Sequence, residues 1–145
     1  MRYQIVVASV LSIGAALLVT GCGQKKINEC NALIQVINTG VQNLEKGNKI
    51  AGDATGVAEL KGMADAMDKV AGDAGKVELT IPELKKQRDD YQAMAKEVAK
   101  AARDMASAAE AKDANKINAA QAAMEKAVKQ EDPLVDNINK FCQAQ

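Results

Sequence analysis

From residue 27 onward the apolar residues of this chain recur at steps of three and four, which predicts helices throughout. Ile27, Cys30, Ile34, Ile37, Val41 and Leu44 make one unbroken run of such steps, widened into a stripe by Leu33 and Val36. Lys46-Gly47-Asn48 predicts the end of this first helix, because glycine takes the left-handed position beyond a helix cheaply. Gly40, in its middle, is either a weak point or a place where another helix comes close. Residues 47–56, rich in Gly, Asn and Asp, are expected to form a loop.

A second helix is predicted with Val57, Leu60, Ala64, Met67 and Ala71 on one face and Met63 and Val70 beside them. Asp65 and Lys69, four apart, are expected to pair on its outer side. Near-copies flank it, Ala51-Gly52-Asp53-Ala54 and Ala71-Gly72-Asp73-Ala74, and read as repeated turn chemistry. Thr80-Ile81-Pro82-Glu83 predicts a helix start in which Thr80 caps, Glu83 reaches back and Pro82 occupies the first turn. Beyond it Leu84, Tyr91, Val98 and Met105 recur every seven residues, with Ala95, Ala102 and Ala109 in the companion position of a coiled-coil-like seam. Arg88 interrupts the companion row, either as a long side chain reaching to solvent at a bundle end or as part of a partner site.

Asp113 is expected to cap the last segment, whose apolar residues fall in three rows: Ile117, Met124 and Ile138; Ala120, Ala127, Leu134 and Phe141; Val128, Val135 and Cys142. The register continues across Asp132-Pro133, so the expectation is a helix kinked at Pro133, or two collinear ones, and not a loop. Four apolar stripes joined by short connections predict an all-α fold, an antiparallel up-down-up-down four-helix bundle over residues 27–145.

The chain before residue 27 follows a different rule. Arg2 gives a positive start and Ile5 to Val19 carry no charge, a run of secretory-signal character, too short to span a bilayer comfortably. It ends in Val19-Thr20-Gly21-Cys22, which resembles the lipobox of bacterial lipoproteins. That resemblance implies removal of residues 1–21, acylation of Cys22, and residues 22–26 as an anchor and short linker, whose four residues Gly23 to Lys26 reach about 14 Å when extended. It also implies attachment to a membrane of the cell envelope through the lipid. Gly23 is not the Asp that retains such proteins in the inner membrane, which favours an outer membrane facing the periplasm in a Gram-negative cell.

Composition then narrows the chemistry. With 19 basic and 19 acidic residues the chain is neutral, and nothing calls for nucleic acid. The absence of His removes the common general base and metal ligand, and with it Ser-His-Asp and Cys-His catalysts and His-based zinc or haem sites. With Cys22 assigned to lipid, Cys30 and Cys142 remain as a pair in an oxidising compartment, and a disulfide is expected; two separate buried thiols are the other reading. In the bundle their positions, the first turn of the first helix and the last turn of the last, lie at the same end.

Other motifs carry less. Gly72-Asp73-Ala74-Gly75-Lys76 lacks the spacing and the Ser or Thr of a phosphate loop and reads as a turn. Met63 and Met67, four apart, would offer two soft ligands to Cu(I), although methionine at helical spacing more often fills a core. Asp89 and Asp90 stand among Lys85, Lys86 and Arg88 on an ordinary charged face. Lipoproteins that tether peptidoglycan are similar in being small, helical and Ala-rich, but they end in a linking Lys where this chain has Gln143-Ala144-Gln145. No catalytic site, cofactor or metal is therefore expected. The expectation is a non-enzymatic structural or interaction module with an envelope partner or with itself; the alternative is a carrier of a small apolar ligand between the third and fourth helices.

Overall fold

The computed structural model describes residues 22–50 and 56–144; the side chains of residues 22 and 43–50, Leu44 among them, lie outside that description. The described residues form five helices and no strand: α1 (Cys22–Ile50), α2 (Gly56–Gly75), α3 (Pro82–Glu110), α4 (Ala114–Val128) and α5 (Glu131–Gln143). The fold is thus all-α, and α1, α2, α3 and the α4–α5 limb pack on one another around one core. Its largest fully buried side chains, Leu33, Leu84, Tyr91, Met94 and Ile138, come from α1, α3 and α5.

The first helix differs from expectation at both ends and in its facing. It is already helical at Cys22, so residues 22–26 are the first turn of α1, and it continues through Gly47 to Ile50. Glycine permits a helix end but does not impose one; inside a helix it costs about 1 kcal/mol. The buried face is Glu29, Cys30, Leu33, Ile37 and Gly40, while Ile27 and Val41 of the expected seam are 51% and 36% exposed. The stripe is rotated because Glu29, a polar residue, is drawn inward by hydrogen bonds to the start of α3. Gly40 faces Val70 of α2, where an added Cβ would stand 2.6 Å from Val70 Cγ2; the glycine allows a close approach.

Helix α2 buries Ala64, Met67, Val70 and Ala71 of the face that periodicity predicts, and Ala74 beyond it, while Val57, Leu60 and Met63 of that face are half-buried. Its charges pair otherwise than expected: Lys69 bonds Asp73 one turn later, and Asp65 crosses to Arg103 of α3, which also holds Asp68 at 2.6 Å. Ala71-Gly72-Asp73-Ala74 is not a turn but the last stretch of α2; the chain leaves the helix at Lys76 and Val77, whose N–H groups bond Asp73 O and Ala74 O. The other copy, at residues 51–54, lies outside the described residues.

The connection to α3 tucks Leu79 into the core. Pro82 opens α3, but Thr80 does not cap it: the residue before the helix is Ile81, without a side-chain cap, and Thr80 donates its hydroxyl to Glu29 instead. Arg88 donates to Val77 O at 3.1 Å and pairs with Asp89, so it ties down this connection. Leu84, Tyr91, Val98, Ala95 and Ala102 are buried, and the small alanines let α2 and α4 lie close. The chain then turns through Lys112 in the left-handed region (φ 53°), and Asp113 caps α4 by accepting from Lys116 N.

Helix α4 ends at Val128 and α5 begins at Glu131; between them Lys129 N still bonds Glu125 O, while Gln130 N makes a tighter bond to Ala127 O, so the break lies at Lys129 and Gln130. Pro133 consequently falls in the first turn of α5, where its missing N–H has no helical partner to lose. Ala120, Ala127 and Ile138 are buried on the two sides of the break, whereas Val128 is 47% exposed.

Candidate functional site

Three contacts gather at the start of α1. Cys30 and Cys142 form a disulfide, with their Cα atoms 5.7 Å apart. One turn earlier Lys26 donates to Ala144 O and stands over the Phe141 ring, 4.5 Å from its centroid. Beside the disulfide, Glu29 accepts from Thr80 N at 2.9 Å, Ile81 N at 3.0 Å and the Thr80 hydroxyl. Those N–H groups precede Pro82 and lack helical partners, so a carboxylate from another helix satisfies them. The Thr80 hydroxyl, more than any other neighbour, holds the Glu29 carboxyl below its ordinary range.

The polar groups at this end therefore staple α1 to α5 and to the residues that lead into α3. Nothing in the sequence flagged Glu29. The available signal was the pair of free N–H groups on Thr80 and Ile81, just ahead of Pro82, that required an acceptor from elsewhere.

A hollow of about 640 Å³ opens along α1 and α2. Its floor is apolar, from Val36, Gly40, Ala66 and Val70, and charged side chains at Lys69, Asp73 and Lys76 form one rim. From Ala32 to Gly40 it follows α1 for two turns, about 12 Å. This space lies between the first and second helices, not between the third and fourth where the carrier reading looked for it.

A smaller cavity, about 170 Å³, lies where α2, α3 and the α4–α5 break meet. Met63 and Met67 line it together with Met94 of α3, and Tyr91 and Glu131 supply its polar groups. Burial, reinforced by the Glu131 charge, pushes the Tyr91 phenol up to about 12. Burial also raises the Glu131 carboxyl, with the Asp132 charge adding to it. Met94 escaped the sequence reading because its partners are distant in the chain. Between α3 and α5 there is also a shallow cleft lined by Gln87, Asp90 and Phe141. The Gln87 amide donates to Asn137 O, while its buried Oε1 has no hydrogen-bond partner among the described residues.

Of the sequence-derived site residues, Cys30 and Cys142 come together, and Met63 and Met67 share one cavity. The Cys22 side chain and residues 1–21 lie outside the described residues. Among the described residues no helix is long and apolar enough to cross a membrane, and no group of three or more Cys, Asp or Glu side chains is gathered for a metal ion. No protein-family model, curated protein or solved structure matches the chain.

Proposed function

We propose that the chain is a lipid-anchored protein of the bacterial cell envelope, tethered through Cys22, whose helical bundle serves as a non-enzymatic structural and protein-interaction module. The observation that carries the reading is the open groove between α1 and α2, an apolar floor two turns long with a charged rim. A partner helix would lay a two-turn apolar stripe on that floor and match the rim with its own flanking charges. An antiparallel up-down-up-down order, with the last limb bent near Pro133, belongs to this reading. The pairing of α2 with α3 supports it: Lys61 meets Glu110, Asp65 meets Arg103, and Ala71 meets Gln92, one number rising as the other falls.

One observation favours the carrier alternative: about 640 Å³ lies within the range of small-molecule sites. Photocrosslinking in the intact envelope separates the two. A photoreactive residue at position 36, in the groove floor, is expected to capture a defined protein that the same residue at position 126, on an exposed face of α4, does not. Capture of lipid or another small molecule from position 36 selects the carrier. Equal or no labelling from both positions overturns the groove as the functional surface.

A further inference from the structure

Three of the six methionines line one small cavity, and they reach it from two helices. Met63 and Met67 stand one turn apart on α2, and Met94 comes from α3. Met67 and Met94 are 6% and 1% exposed, so two of the three sulfurs lie inside the core, while Met63 and Glu131 stand half-buried at the cavity's outer side. The cavity also receives the half-buried Glu131. We infer that it is a binding site for Cu(I), held by the thioether sulfurs of Met63, Met67 and Met94, with the Glu131 carboxylate balancing its charge.

The chemistry selects this ion. Thioethers are neutral, polarizable ligands, which Mg²⁺ and Ca²⁺ refuse and which Cu(I) accepts. Three such ligands suit a low-coordinate monovalent ion, and a single carboxylate cancels its single charge, which limits the cost of placing it inside the fold. Competing soft ligands are scarce: the chain has no His, Cys30 and Cys142 are joined to each other, and on the proposed reading Cys22 carries lipid. The unbranched methionine side chain turns about three bonds, so each sulfur can adjust its position toward an ion in the cavity.

The test uses the full acylated protein in mild detergent, with the disulfide intact and any free thiol blocked, carrying ¹³C-methyl methionine. Ag(I), a redox-inert substitute for Cu(I), is titrated in chloride-free buffer, and Cu(I) follows under anaerobic conditions in competition with a chromophoric chelator. The expected result is one ion per chain and shifts confined to the methyl signals of Met63, Met67 and Met94, with Met105 and Met124 unmoved. Met63→Leu and Met94→Leu, which conserve volume, are each expected to weaken binding about tenfold or more, while Met105→Leu leaves it unchanged. The methyl shifts are read on the unaltered protein, so they decide the matter even if a variant folds poorly. Absence of saturable binding, or equal shifts at all five internal methionines, overturns the assignment.

Discussion

Reducing the Cys30–Cys142 disulfide should loosen this fold more than any other single chemical change, and should do so from α1 inward. The two cysteines are 112 residues apart, and the entropy of closing such a loop in the unfolded chain corresponds to about 4.8 kcal/mol. A domain of this size is stable by only about 5 to 15 kcal/mol. Residual structure in the unfolded chain lowers the effect, so about 3 kcal/mol is expected, or a fall in the thermal midpoint of roughly 10 °C.

Urea titration of the full-length protein, with and without reductant, measures the difference directly. The urea slope should steepen on reduction, because the unlinked chain exposes more surface. Hydrogen exchange should locate the loosening. Among the described residues α1 buries Cys30, Leu33 and Ile37 as apolar side chains, whereas α3 buries apolar residues along nearly its whole length, so α1 amides should lose protection first. A difference below about 1 kcal/mol, or equal loss of protection in α1 and α3, would refute the view that the bond fastens an otherwise lightly held helix.

Two further outcomes rest on single contacts. Gly40→Ala gains about 1 kcal/mol of helix propensity but drives a methyl group against Val70, which costs about 1 to 3 kcal/mol. A net loss is expected by urea titration, with Gly40→Ala and Val70→Ala together costing less than their separate effects; a higher midpoint for Gly40→Ala alone would contradict the close approach. Glu29 has a folded pKa below its ordinary 4.5, so its contribution is complete above that value and disappears as pH falls through the lower, folded one. Stability followed from pH 6 downward should therefore decline less steeply in Glu29→Gln than in the parent, and parallel curves would count against the carboxylate's role at Thr80 and Ile81.

The repeating seams were legible because burial follows period. Leu84, Tyr91 and Val98 in α3, and Ala64 and Met67 in α2, are buried where spacing places them. The cysteine pair was legible because compartment and topology led independently to the same two residues. What escaped was decided by polar groups that satisfy one another across the chain. Glu29 answers unpaired N–H groups fifty residues away, and in doing so turns α1 so that Ile27 faces solvent. Local pattern also overstated the force of glycine: Gly47 and Gly72 both lie within helices. The Met63–Met67 pair was visible as a spacing, but its meaning depended on Met94 and Glu131, which only the packing of α2 and of the start of α5 on α3 supplies.

The lipid-anchored reading acquires a geometric consequence from α1. The helix starts at Cys22 itself, so an acyl group there would be continuous with a rigid stem rather than with a flexible linker. Lys26, Glu29 and Cys30 follow within about 12 Å along the axis, and all three are tied to α3 or α5. Motion at the lipid would be transmitted to the whole bundle and not absorbed by α1 alone. The groove residues Ala32 to Gly40 then stand about 15 to 27 Å along the stem from the anchor. On that reading a partner seated there would approach within that height of the membrane surface, and capture from position 36 would depend on an intact anchor.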